Sequence, residues 1–131
     1  MKEKARQLIN QHLVTTTLST ADPEGNVDVA LFSSATMMDE RTVVGARISL
    51  KRSYENLKKT GRGVLAVIVP DPENPVNTDG VRVYLELIGD ETEGPGFADM
   101  QAWLDKYFGA GFKLQNRLVF RVTDIRPLWE W

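Results

Sequence analysis

Between residues 45 and 57 the chain reads GARISLKRSYENL, and five side chains there have the chemistry to grip an anion. Arg47, Lys51 and Arg52 carry positive charge, and Ser49 and Ser53 add hydroxyl donors. A strand-like run, Thr42-Val43-Val44, leads into the segment, and a short helical pattern over Ser53–Lys59 leads out, with Gly61 as its stop. The first turn of a helix leaves backbone N–H groups unpaired and carries partial positive charge, which suits a phosphate. Arg52 can meet phosphate oxygens with two donors at once, and Ser53 reads as the N-cap. Lys58, Lys59 and Arg62 continue the run, so residues 47–62 hold six basic residues against one acid, Glu55. The same pattern also fits a solvated helix face packed through Leu57, and neither standard glycine-rich phosphate loop is present.

Groups able to do chemistry on their own are few. There is no cysteine and one histidine, His12, which the pattern places on the face of an N-terminal helix. Thiol chemistry and a histidine-rich metal site are therefore excluded, and a serine nucleophile lacks an obvious base. The paired carboxylates, Asp39-Glu40 and Asp90-Glu91, fall in turns, where solvation explains them. No residue is assigned a catalytic role or a metal. A bound cofactor that carries its own reactivity resolves the shortage, because the protein then only binds, orients and tunes it. Trp129 and Trp131 follow Pro127 on a terminal tail, either as a docking surface or ligand cover or as a plug for one end of the fold.

At 131 residues the chain is expected to form one domain, residues 1–131, with a single core. A net charge of −2 argues against nucleic-acid binding and makes the basic segment a local feature of an acidic protein. The N-terminus lacks the apolar core of a signal peptide, and no run approaches the roughly 18 apolar residues of a membrane span. A cytoplasmic protein is the expectation.

The elements that must position the basic segment are mostly strands. Ala5, Leu8, Ile9, His12 and Leu13 share one face of a first helix. Val14–Thr20 and Val27–Ser33 flank a proline- and glycine-bearing turn at 22–26 and read as a hairpin. Thr42–Arg47 is a third strand, and Val64–Val69 a fourth, buried on both faces. A loop with three prolines, 70–80, precedes Val81–Ile88. Phe97, Met100, Trp103, Leu104, Tyr107 and Phe108 have the spacing of a third helix, its aromatics read as core, and Leu118–Val122 is the last strand. Six strands in so short a chain close most economically into a small barrel, which removes exposed edges.

With these elements placed, the chain resembles the pyridoxamine 5′-phosphate oxidase-related FMN-binding split-barrel family over roughly Leu8 to Pro127. The resemblance lies in the hairpin LSTADPEGNVDVALFSS, in TVVGARISLKRSYENLKKTGRGVLAVIV and in the closing FRVTDIRPL. In the second of these, Arg52-Ser53 and Asn56-Leu57 stand where the family has a basic–hydroxyl pair, often lysine–threonine, and Asn-Leu. It implies a mainly β fold: a six-stranded antiparallel split β-barrel of Greek-key type, homodimeric, holding FMN between subunits. The phosphate would lie against Arg47, Ser49, Lys51, Arg52 and Ser53, and the ring along Leu31, Phe32, Ser33, Arg47 and Ile48. Trp129 or Trp131 would cover the partner's flavin, and Arg47 would tune the ring if its side chain runs along it. The basic and histidine substrate signature of the pyridoxamine phosphate oxidases is absent, so vitamin B6 oxidation is not expected.

The resemblance thus implies an FMN-dependent oxidoreductase acting on a small-molecule redox substrate. The alternatives are a flavin carrier without turnover, a deazaflavin-dependent reductase on the same fold, and a cofactor-free dimeric interaction barrel.

Overall fold

Turn chemistry and alternation build the first hairpin. Strands β1 (Thr16–Ala21) and β2 (Val27–Leu31) pair antiparallel, Ala21 opposite Val27 and Thr17 opposite Leu31. In the turn, Asp22 Oδ1 accepts the N–H groups of Glu24 and Asn26 at 2.9 Å each, and Gly25 takes a φ of 87° that a side chain would resist. The pleat buries Thr16, Leu18 and Thr20 and turns Val27, Val29 and Leu31 into solvent.

The computed structural model describes residues 1–109 and 111–130. Within them β1 and β2 join β3 (Thr36–Met37), β4 (Thr42–Arg47), β5 (Arg62–Val69), β6 (Asp79–Glu91) and β7 (Asn116–Pro127) in one antiparallel sheet. The strand order is β2-β1-β5-β6-β7-β4-β3. Seven strands form rather than the six expected, and the sheet stays open, because β2 and β3, successive in the chain, lie at opposite edges without pairing. Strand β3 is too short to show alternation in the sequence. It is fixed from outside: Asn10 accepts the Met37 N–H at 2.8 Å and donates to the Met37 carbonyl at 3.1 Å. Strand β5 alternates between buried and half-buried residues, so it is fully covered on one face only.

The curled sheet wraps a core of Leu18, Val43, Leu65, Val67, Val83, Leu85, Leu118 and Phe120. Helices α1 (Lys2–Ile9) and α2 (Lys51–Thr60) seal it with Ala5, Ile9 and Leu57. Helix α3 (Pro95–Tyr107) lies on the other side of β4 and β7, where Met100 and Leu104 pack with Val44, Ala46 and Leu114. Strand β4 is therefore covered on both faces. Tyr107, spaced as core, is 64% exposed.

Two contacts shape the ground on which the site stands. A Cβ at Gly45 would lie 2.3 Å from Phe32 Cζ, so the Phe32 ring rests directly on the β4 backbone. That ring also meets Phe120 edge-on at 6.3 Å, and burial of each such side chain stabilises the fold by roughly 1.5–3 kcal/mol. Helix α1 ends at Ile9, short of His12, which adopts a positive φ of 54° in the following turn. His12 Nδ1 lies 2.8 Å from the Ser33 carbonyl, an atom that can only accept, so Nδ1 carries the proton. With its ring 4.8 Å from that of Trp103, His12 is a packing and anchoring residue behind the end of β2.

Candidate functional site

The chain leaves β4 at Arg47 and enters α2 through Leu50, whose left-handed φ of 57° turns the backbone sharply. That conformation costs a residue with a Cβ on the order of 1–2 kcal/mol. No side chain caps α2, so its first N–H groups are left to another partner. Lys51, Tyr54, Glu55 and Lys58 then line one face of the helix, the i, i+3, i+4, i+7 set. With Arg47 and Ser49 they enclose a groove of about 420 Å³. Its lining carries three cations against one carboxylate, a net positive charge.

Arg47 is fixed in this groove by its neighbours. Its Nη1 donates to Asn116 Oδ1 at 2.7 Å, and its guanidinium lies 4.0 Å from the centroid of the Tyr54 ring. Asn116 Nδ2 donates in turn to Asp90 Oδ1 at 2.7 Å, and the Tyr54 hydroxyl donates to Asp90 Oδ2 at 2.5 Å. The hydrogen bond to Asp90, with burial and the charge of the same carboxylate, raises the Tyr54 pKa above its ordinary value. Arg47 Nε remains a buried donor without a partner among the described residues, and such an atom calls for a ligand or water.

A second recess adjoins the groove and shares Ser49 with it. Leu31, Phe32, Ser33, Ser34, Ala46, Ile48 and Leu50 form one side, Leu104, Phe108 and Phe112 the other, around about 180 Å³. The residues expected to hold a ligand therefore divide: Leu31, Phe32, Ser33 and Ile48 line the recess, Arg47 and Lys51 the groove, and Ser49 both.

Three expected residues lie elsewhere. Ser53 is not an N-cap, because Leu50 starts the helix earlier; it is 1% exposed, and its hydroxyl donates to Asp28 Oδ2 on β2 at 2.9 Å. Arg52 is exposed in the first turn of α2 but lines neither cavity. Trp129 donates through Nε1 to the Thr78 carbonyl at 2.7 Å and also lines neither. Trp131 lies outside the described residues. Sequence reasoning missed Tyr54 and Lys58 as groove residues, although their spacing from Lys51 marks one helix face. A third and larger groove, about 980 Å³, runs over the outer face of the sheet between Val27, Val29, Arg62, Val64, Tyr84 and Glu86.

No family model and no curated protein matched the chain. Among solved structures, an FMN-binding protein from Syntrophomonas wolfei subsp. wolfei is 40% identical, with a TM-score of 0.93, covering 98% of this chain and 86% of that one. HupZ of Group A Streptococcus is 20% identical with a TM-score of 0.77, covering 98% and 94%. A proposed pyridoxamine 5′-phosphate oxidase from Lactobacillus delbrueckii is 19% identical with a TM-score of 0.66, covering 91% and 89%. The last two agree in fold; the first agrees in sequence as well, over nearly the whole chain. The chain belongs to the pyridoxamine 5′-phosphate oxidase-related FMN-binding split-barrel family.

Proposed function

We propose that residues 1–131 form one FMN-binding unit that works as an oxidoreductase on a small-molecule redox substrate, as a homodimer. The observation that carries this is the junction at Ser49 of a cationic groove with an apolar recess. FMN has the same division, an anionic phosphate at one end and a flat ring at the other. The unpartnered Arg47 Nε and the uncapped start of α2 fit the phosphate end. The FMN of the 40% identical relative supports FMN over a deazaflavin.

Bound FMN supplies hydride or electron transfer, chemistry the side chains lack. Lys51, Lys58 and Arg47 neutralise the phosphate and Ser49 adds a donor, while Arg52, exposed in the same helix turn as Lys51, adds positive charge to that end of α2. Because Arg47 is committed to Asn116 and Tyr54, its charge belongs to the anion end rather than to the ring. Leu31, Phe32 and Ile48 give the ring an apolar seat that excludes water. Trp129 stands apart from both cavities of its own subunit, so a contact with flavin would be made across the dimer.

At 180 Å³ the recess is smaller than the roughly 300–1,000 Å³ of a complete ligand pocket, consistent with a site finished by a second copy. The direct test is the purified protein itself. A yellow preparation whose denatured supernatant contains FMN by mass spectrometry is expected; a colourless protein that takes up no FMN on reconstitution overturns the reading.

A further inference from the structure

Asp90, grouped with the turn carboxylates on sequence alone, lies at the end of strand β6 instead and reaches two of the residues around Arg47. Both of its oxygens are engaged: Oδ2 accepts from the Tyr54 hydroxyl at 2.5 Å and Oδ1 from Asn116 Nδ2 at 2.7 Å. An ionised carboxylate can only accept, so it dictates which end of the Asn116 amide faces which way. The amide nitrogen turns to Asp90, touching the Tyr54 hydroxyl at 3.3 Å as well, and the amide oxygen turns to Arg47. A guanidinium can only donate, and Arg47 Nη1 meets that oxygen at 2.7 Å. With the amide reversed, donor would face donor at Arg47 and acceptor would face acceptor at Asp90.

The arrangement stands on the sheet. Arg47 and Asn116 are opposite each other in the β4–β7 pairing, and Asn116 is buried. Helix α2 adds Tyr54, whose ring centroid lies 4.0 Å from the Arg47 guanidinium and 5.3 Å from the Lys58 ammonium. Side chains from α2, β6 and β7 thus act together on one guanidinium of β4. They leave over its Nε, a buried donor without a partner among the described residues, on a side chain that lines the cationic groove. A phosphate oxygen in the groove would satisfy it.

Asp90 is also a negative charge close to a site for a negative ligand. By charge alone it should weaken phosphate binding, and its removal should strengthen it. Its hydrogen bonds work in the opposite direction, because without them first the amide and then the guanidinium lose their fixed orientation.

We propose that Asp90 and Asn116 are positioning residues that set Arg47 for the phosphate, so that the site prefers a phosphorylated flavin to riboflavin. The proposal rests on the FMN reading above and deepens it: an acid promotes anion recognition through orientation, against its own charge.

The test is fluorescence titration of the flavin-free protein with FMN and with riboflavin, which lacks only the phosphate. The wild type should bind FMN at least about a hundredfold more tightly, the equivalent of two charged hydrogen bonds. Asp90→Ala changes an exposed position. It should lower FMN affinity about tenfold, the equivalent of one such bond, and leave riboflavin affinity within about twofold. Asn116→Ala should do the same; should that variant not fold by circular dichroism, Asp90→Ala decides alone. A merely structural role would weaken both flavins alike, and that result overturns the proposal. So does unchanged or tighter FMN binding by Asp90→Ala, since the carboxylate would then act only as a charge. Equal wild-type affinity for the two flavins overturns it as well. If the wild type binds neither flavin, the FMN reading fails by itself and inorganic phosphate decides the proposal. Phosphate should then raise the melting temperature of the wild type but not of Asp90→Ala, and equal shifts overturn it.

Discussion

Lys51 and Arg52 are neighbours in the first turn of α2, both exposed, and among the described residues no side-chain hydrogen bond or ion pair ties either to the fold. Replacing both with alanine should leave thermal stability near wild type while removing charge from the phosphate end. A charged hydrogen bond contributes about 1.5–3 kcal/mol, so FMN affinity should fall by at least about tenfold in a fluorescence titration. Unchanged affinity would remove the phosphate assignment. Tyr54 offers an independent check on the network that holds Arg47. Its pKa is raised, chiefly by its hydrogen bond to Asp90, so its contribution to stability is complete below the ordinary tyrosine pKa of about 10. That contribution is lost as the pH climbs through the raised value. Wild-type stability should therefore drop more steeply above about pH 10 than that of Tyr54→Phe, in denaturation curves taken across that range. Parallel curves would show that the hydroxyl is indifferent. The basic cluster was legible in the sequence because charge and helix period are local. The fates of Arg47 and Ser53 were not, because Asn116 and Asp28, the residues that engage them, come from distant strands.

At the scale of elements, hairpin β1–β2, strand β4 and helix α2 were readable from alternation, turn residues and the Gly61 stop. Strand β3 was not, since its pairing depends on the Asn10 side chain rather than on any pattern of its own. Nor was the start of α2: nothing in a leucine announces a left-handed φ, and Ser53 was the better cap on residue preference alone. The contact between Phe32 and Gly45 shows how such long-range details shape the site. Because no side chain stands on Gly45, Phe32 lies flat against β4 and brings Leu31–Ser34 beside Ile48–Leu50. Gly45→Ala places a methyl group inside the space of that ring, and overpacking of this kind costs about 1–3 kcal/mol. The melting temperature should fall, and by less when Gly45→Ala is introduced into a Phe32→Ala background, where the ring it meets is gone. A Gly45→Ala variant as stable as the wild type would mean that Phe32 moves freely and does not define the recess.

At the scale of the whole molecule, the open sheet leaves β2 as an edge strand, and monomeric proteins usually blunt such edges with charge, proline or a bulge. Here the outward row is Val27, Val29 and Leu31, exposed by 80%, 64% and 66%. The strand's one charged residue, Asp28, is turned the other way and engaged by Ser53. An apolar edge row beside an open groove of about 980 Å³, with Leu31 at the rim of the recess, has the features of a surface that pairs with a second copy. Val29→Lys installs the charge that a solitary edge strand would carry. It alters a side chain that packs against nothing in the core, so the fold should persist by circular dichroism. Light scattering after gel filtration should then report the monomer mass, against twice that mass for the wild type. If the proposed dimer closes the recess, FMN should dissociate more readily from the variant, whose recess would stand open. A Val29→Lys protein that remains dimeric and retains its flavin would move the interface to another face of the sheet.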